Sequence, residues 1–317
     1  MIYDIYHDES KEESYWHGFL FVPRKNRDYL LSLLSEARKN TNYFSQVHYQ
    51  KIKRKAKSNH ETVIITKSWT TIGVSSLQQQ KLIKFPLKVY LGRNPKKRTE
   101  PPYYRILDQL IRCKFMVFKE RDKHRKMFFT DDNLKNIEIT FKMALKGSLH
   151  RLFNNNDPVT IGNIFIDGDE QYIGEYGRNL NTDEIIGRLR LERRDFVYFL
   201  NKSTIIPQKS NHQELINGQN AEDSYFLQLC DILIGGVRFH SYCPDTNITK
   251  YRISEPCRDL LKHDQDNIAR MKESRYFNGF LLNEAWLEDN EWKFGQLNAG
   301  NFNNSEQLIL NFQIDDL

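Results

Sequence analysis

An α/β fold with strands running in both directions is what this sequence predicts, and three observations carry it. Runs rich in aromatic and β-branched residues alternate along the chain with longer amphipathic stretches of helical period. Short polar turns punctuate them, and no internal repeat or low-complexity segment interrupts the alternation. With 317 residues, 39% hydrophobic and 13% aromatic, the chain can bury a core as one large domain or two.

The first elements are two strands, 2–8 and 15–22 (YWHGFLFV), joined by a short polar turn. Pro23 then opens a helix over about 24–39, with Leu30, Leu31, Leu33 and Leu34 as its apolar stripe. A strand-like piece, QVHYQKI (46–52), leads into a basic run, residues 58–80 are mostly helical in pattern, and FPLKVYLG (85–92) reads as a strand. The prolines of TEPPYY (99–104) break the chain before a helical stretch at 103–121. Asp131 and Asp132 are N-cap candidates for a helix at 132–153, and NNNDP (154–158) is a loop.

The next segment, 160–166, is an apolar strand that ends abruptly in Asp167-Gly168-Asp169-Glu170. Thr182 opens a helix over 182–200, with Ile185 standing where a capping box wants Glu. TIIP (204–207) is a short strand, and 222–238 is the most apolar helix of the chain. A helix at 255–272 and a hairpin around Glu288-Asp289-Asn290 complete the order.

Composition narrows the functional classes. Mean hydropathy is −0.67, and no apolar run approaches the ~20 residues a membrane span needs. The opening MIYDIYHDES has neither an Arg-rich nor an apolar leader, so the expectation is a cytoplasmic protein with no membrane partner. Cys113, Cys230, Cys243 and Cys257 form no CxxC pair and no Cys/His ligand spacing, which argues against a disulfide framework or a structural zinc built on them.

The formal net charge is +6 and the pI about 8.9, with basic runs at 51–57 (KIKRKAK), 95–98 (PKKR), 119–126 (KERDKHRK) and 188–194 (RLRLERR). A single run is usually a solvated face. Four of them favour a polyanionic partner, DNA or RNA, with Lys51, Lys53, Arg54 and Lys55 as candidate phosphate contacts.

Three carboxylates stand out because each ends or interrupts an apolar run. Asp8 closes the first strand, with Glu9 beside it; Asp167 closes IFI; Asp231 sits inside FLQLCDILIGG. A lone carboxylate in so apolar a helix costs several kcal/mol unless it is paired, hydrogen-bonded, metal-bound or facing a cleft. Gln228, three residues before Asp231, and Gly235, four after, share its helix face. Hard cations such as Mg²⁺ or Mn²⁺ take oxygen ligands of this kind. Convergence requires the strands to be sheet neighbours, which spacing does not establish.

HDES (7–10), IFIDGDE (164–170) and LQLCDILIGG (227–236) resemble the signature motifs of a bacterial family of domains of unknown function, number three thousand eight hundred, whose usual forms are strand-DESG and LQLADLIAG. The resemblance covers roughly 1–240, and the last motif is its most specific part. It implies an RNase H-like mixed sheet whose first strand carries an acid. Asp8, Asp167 and Asp231 would be the catalytic, Mg²⁺- or Mn²⁺-binding residues, with Glu9 a fourth ligand candidate and Ser10, Asp169 and Gln228 supporting them. Family members are similar to metal-dependent nucleases and often occur among mobile or phage-defence genes.

The chain departs from the pattern at Lys11, where Gly is usual, at Cys230, where Ala is usual, and at Gln46, Gln50 and Lys51, where relatives often carry Glu. His48 is the nearby substitute. The expected organisation is one RNase H-like domain over 1–317, with a helical insertion at 93–158 and a helix-plus-hairpin extension at 241–317. The expected activity is phosphodiester hydrolysis. The alternative is a catalytically decayed nucleic-acid-binding or interaction protein of the same fold.

Overall fold

The opening run IYDIYHDES becomes strand β1 (Ile2–Ser10), buried on both faces through its middle, which is why its pattern is continuous rather than alternating. Strand β2 (Tyr15–Pro23) returns antiparallel to it and β3 (Lys114–Glu120) antiparallel to β2. On the other side of β1 lies β4 (Val159–Asp167), parallel to it. Two short strands, β5 (Val197–Phe199) and β6 (Ile205–Gln208), pair in parallel with successive halves of β4. Beyond β3, β7 (Phe280–Glu288) runs parallel to it and forms a hairpin with β8 (Glu291–Gln296). The sheet is therefore mixed, in the order β5-β4-β1-β2-β3-β7-β8 with β6 also on β4.

The computed structural model describes residues 1–10, 14–49, 52, 60–78, 110–120, 133–167, 180–216, 218–242, 247–270, 279–288 and 291–297. Helices α1 (Arg24–Thr41), α2 (His60–Ser76), α5 (Ala221–Tyr242) and α6 (Ile248–Arg270) pack together on one face of the sheet. Helices α3 (Asn133–Leu152) and α4 (Thr182–Leu191) cover the other. Two cores result. Tyr6, Leu20, Val22 and Phe165 point into the first, and Tyr3, Ile5, Phe19, Phe21 and Ile166 into the second, as strand alternation dictates. None of the helices among the described residues is long and apolar enough to cross a membrane.

Local chemistry explains the helix ends. Pro23, at φ −68°, closes β2 and leads straight into α1. Helix α1 stops where Asn42 adopts the left-handed conformation (φ 51°), which Asn tolerates better than most residues. The Asn181 side chain accepts the Glu184 N–H (3.2 Å) and donates to the Glu184 carboxylate (3.1 Å), so the capping pair of α4 lies one residue ahead of the expected Thr182.

Four expectations are corrected. The stretch 103–121 was read as a helix, but its described part carries β3; Phe115 and Val117 face one core and Met116 and Phe118 the other, a short run apolar on both sides. The helix expected to 200 ends at Leu191, and the aromatic, β-branched residues Val197–Phe199 form β5. Residues 46–49 form no strand, because the Val47 and Tyr49 N–H groups are given to side chains of α5. The segments 93–158 and 241–317 are neither purely helical nor appended, since β3 from the first pairs with both β2 and β7, the latter from the second. The final helix begins at Ile248 and absorbs Pro256. The expected strand at 85–92 lies outside the described residues.

Arg38 locks the helical layer. It is 2% exposed, its guanidinium lies 4.6 Å from the Trp69 ring of α2 and 4.4 Å from the Tyr225 ring of α5, and it donates to Ser45 O (2.7 Å) and Gln228 Oε1 (2.8 Å). Burial pulls its pKa down to about 10, still well above neutral, so the ion stays charged and its cation–π contacts are fully desolvated.

Helix α5 approaches the sheet most closely over Gly18 of β2, where a Cβ would collide with Ile234 and sit 3.2 Å from the Cys230 sulfur. Gly18→Ala is therefore expected to cost about 1–3 kcal/mol through overpacking. Gly187, inside α4 with open space around it, provides the contrast: Gly187→Ala should gain about 0.5–1 kcal/mol of helix stability. Urea unfolding of the two variants checks the pair, and equal effects would contradict the close seating of α5.

Candidate functional site

Strands β1 and β4 are parallel and their last paired residues are His7 and Ile166, so Asp8 and Asp167 follow side by side at the same end of the sheet. Alternation turns both toward the face of Tyr6 and Phe165, whose rings stack at 5.0 Å beneath α5. Gly18 is the β2 partner of Asp8, and over it the Cys230 thiol reaches Tyr6 O (3.5 Å) and Gly18 O (3.4 Å). Cys230 thus presses α5 onto the strand, and Asp231, the next residue, is delivered to the same end. The structure brings Asp8, Asp167 and Asp231 together, from a first strand, a fourth strand and a late helix.

Their electrostatics record the convergence. The Asp8 carboxyl is held well above the usual carboxylate range, first by desolvation, then by the charges of Asp167 and Asp231; the Glu9 N–H opposes the shift. One oxygen of each acid is oriented by a backbone donor. Glu9 N donates to Asp8 Oδ1 (2.7 Å), Ser210 N to Asp167 Oδ1 (3.2 Å) and Tyr49 N to Asp231 Oδ2 (2.7 Å). The half-buried His48 adds its Nδ1 at 3.4 Å from Asp231 Oδ2. Tyr49 in turn lies flat against α5 at Gly235, where any Cβ would occupy the ring's place. The apolar helix tolerates Asp231 because a neighbouring segment satisfies it at the rim.

The other candidates stand differently around this group. Glu9 follows Asp8 on a strand, so it points through the sheet to the opposite face, where its carboxylate lies 3.6 Å from His17 Nδ1; it does not join the three aspartates on their face. Ser10 is buried at the end of β1, level with Trp16. Gln46 donates to Ser210 Oγ (3.3 Å), on the loop that holds Asp167. Asp169, Gln50, Lys51, Lys53, Arg54 and Lys55 lie outside the described residues.

Gln228 has a larger part than its helix-face position suggested. It is 1% exposed; its Oε1 accepts from Arg38 (2.8 Å) and Val47 N (3.0 Å), and its Nε2 donates to Ser210 O (2.6 Å) and approaches His212 Nδ1 (3.2 Å). One amide thereby ties the 43–49 segment and the 208–212 loop to α5. Those are the segments that supply the Tyr49 and Ser210 donors. The Ser210 and Tyr49 backbone groups carried no signal in the sequence, since any residue has an N–H.

Comparison of the chain with family models, curated proteins and solved structures finds no match. The donor set is of the kind a hard divalent cation takes: three carboxylates at one end of the sheet, with the charges of Asp167 and Asp231 adding to the cost of ionising the buried Asp8.

Two outcomes follow. Because a charged Asp8 is unfavourable beside two other acids, Asp8→Asn should raise the melting temperature in chelator at neutral pH, and saturating Mg²⁺ should narrow or reverse the difference by stabilising the parent. Gln228→Leu should cost on the order of 3 kcal/mol by stranding the buried Arg38 and the Val47 N–H, measured by denaturant unfolding.

Proposed function

We propose that this chain is a metal-dependent nuclease of RNase H-like architecture that hydrolyses phosphodiester bonds in DNA or RNA. The observation that carries the reading is the convergence of Asp8, Asp167 and Asp231 at one end of the sheet, with Asp8 driven upward by burial and then by the charges of the other two. The mixed sheet with the acid-bearing first strand in its interior and the resemblance of HDES, IFIDGDE and LQLCDILIGG to the domain-of-unknown-function family support it. The net charge of +6 and the four basic runs support a polyanionic substrate. A cytoplasmic setting in phage defence or a mobile element follows from the resemblance and composition alone.

Asp8, Asp167 and Asp231 would hold one or two Mg²⁺ or Mn²⁺ ions, which when bound supply an activated water and charge stabilisation for the leaving oxygen. The rest falls to the chain. The N–H groups of Glu9, Ser210 and Tyr49 fix the carboxylates before any substrate arrives, which lowers the reorganisation needed at the moment of reaction. His48, at the rim beside Asp231, is placed to hold a proton near the reacting phosphate.

The test is cleavage of a mixed DNA and RNA panel by the full chain with Mg²⁺ or Mn²⁺. Asp231→Asn should abolish cleavage while leaving the far-UV circular dichroism and melting transition intact. Cleavage that persists in this variant, or in chelator, would overturn the reading. Absence of cleavage with salt-dependent binding retained would favour the decayed, nucleic-acid-binding alternative.

A further inference from the structure

On the face of the sheet away from the three aspartates lies a second polar cluster, built by strand register alone. Glu9 of β1 pairs with His17 of β2, His7 lies two residues back, and Glu120 ends β3 next to β2. All four side chains point into the layer covered by α3. His7, His17 and Glu120 are at most 1% exposed, and the side chain of Glu9 is 5% exposed. Their surroundings are aromatic: the His7 ring lies 4.6 Å from Phe19 and 4.8 Å from Phe141, and His17 lies 6.1 Å from Phe118. Two imidazoles and two carboxylates in such a layer are costly unless they satisfy one another or a shared ion.

We propose that His7, His17 and Glu9 form a buried three-ligand site for a first-row divalent metal, with Zn²⁺ the best fit, and that Glu120 orients His17 from outside it. Three observations carry this. One ligand atom from each of His7, Glu9 and His17 lies within 4.8 Å of the others. The two edges that fix the shape, His7 Nε2 to His17 Nδ1 at 3.1 Å and His17 Nδ1 to Glu9 Oε1 at 3.6 Å, bracket the ligand–ligand separation of about 3.4 Å that tetrahedral bonds of about 2.1 Å require. The third observation is the outer bond. His17 Nε2 lies 2.8 Å from Glu120 Oε1, so an Nε2–H donated to that carboxylate leaves the Nδ1 lone pair facing His7 and Glu9. A carboxylate behind a histidine, with the other ring nitrogen facing further ligands, is how metal-binding imidazoles are usually held.

A chain of hydrogen bonds from His7 through His17 to Glu120 is the competing account. It would use the same Nδ1 lone pair of His17 that a metal would take, so the two arrangements exclude each other and metal uptake distinguishes them. Nitrogen and carboxylate donors together suit Zn²⁺, Co²⁺ or Fe²⁺ over Mg²⁺, whereas the three aspartates across the sheet suit Mg²⁺. The site is buried within the layer beneath α3, so its role is to fix structure. His7 and Glu9 flank Asp8 along β1, and a metal gripping both would hold the end of the strand from behind. The inference stands whether or not the aspartates cleave nucleic acid.

The experiment titrates the full chain, stripped with chelator and returned to chelator-free buffer, with Zn²⁺ and Co²⁺ in excess Mg²⁺. One equivalent should bind in the parent and equally in Asp231→Asn, which disables the aspartate group. His17→Gln should lose that equivalent, and Glu120→Gln should weaken it about 10- to 100-fold. The bound Co²⁺ should show the visible absorption of a low-coordinate nitrogen and oxygen site. If His17→Gln does not fold, the Co²⁺ spectrum of the parent and the Glu120→Gln affinity decide. Failure of the parent to take up Zn²⁺ or Co²⁺ beyond Mg²⁺ competition, or uptake unchanged by the Glu120 and His17 substitutions, overturns the site.

Discussion

Most of this architecture depends on how closely α5 can lie on β1 and β2. The helix is apolar, glycine-bearing and pressed into the groove above Gly18, where the Cys230 thiol meets two strand carbonyls. A side chain at position 18 would collide with Ile234 and crowd Cys230, the residue next to Asp231. The same seating places Gln228 against Arg38 and the 43–49 segment, so a steric condition at one glycine is passed on to two loops. Apolar contact sets the distance, and the polar groups exploit the position it fixes.

The sheet separates two kinds of polar chemistry by a single backbone thickness. On one face three carboxylates crowd, and the charges of Asp167 and Asp231 add to burial in disfavouring the ionised form of Asp8. On the other face two imidazoles alternate with two carboxylates in a dry aromatic layer. Elsewhere the charges are simply neutralised. Asp4, earlier on β1, forms a two-pronged pair with Arg24 at 2.8 and 2.9 Å and accepts Asn163 N, and Arg27 joins Glu222 and Asp223 at the start of α5. Asp4 is the same residue type as Asp8 on the same strand, but an arginine beside it makes it structural.

Much of this was legible in the residues. Strong, long patterns produced β1, β2, β4, α1, α3 and α5 within a few positions, and the three aspartates declared themselves by interrupting apolar runs. The alternation of β1 also decides that neighbours Asp8 and Glu9 face opposite ways, yet an acidic pair in a motif reads as a unit until the sheet is drawn. β3 was misread because a seven-residue strand buried on both sides has no period to distinguish it from a helix. The cluster of His7, Glu9, His17 and Glu120 was illegible for a different reason. Its members are separated by up to 113 positions (120 less 7), and only the registers of β1, β2 and β3 bring them to one level.

The chain order of the three aspartates also governs when the site can exist. Asp8 emerges first during synthesis, but its strand partner β4 ends at Asp167 and the helix bearing Asp231 follows only after another fifty-odd residues. The antiparallel pair β1–β2 can close early and locally, whereas the parallel β1–β4 pairing must wait for a loop of some 150 residues to be bridged, which is entropically costly and slow. A nascent chain that has not yet reached α5 therefore carries Asp8, and later Asp167, without Asp231. The three-aspartate group is thus a late product of synthesis, assembled only once α5 has been made.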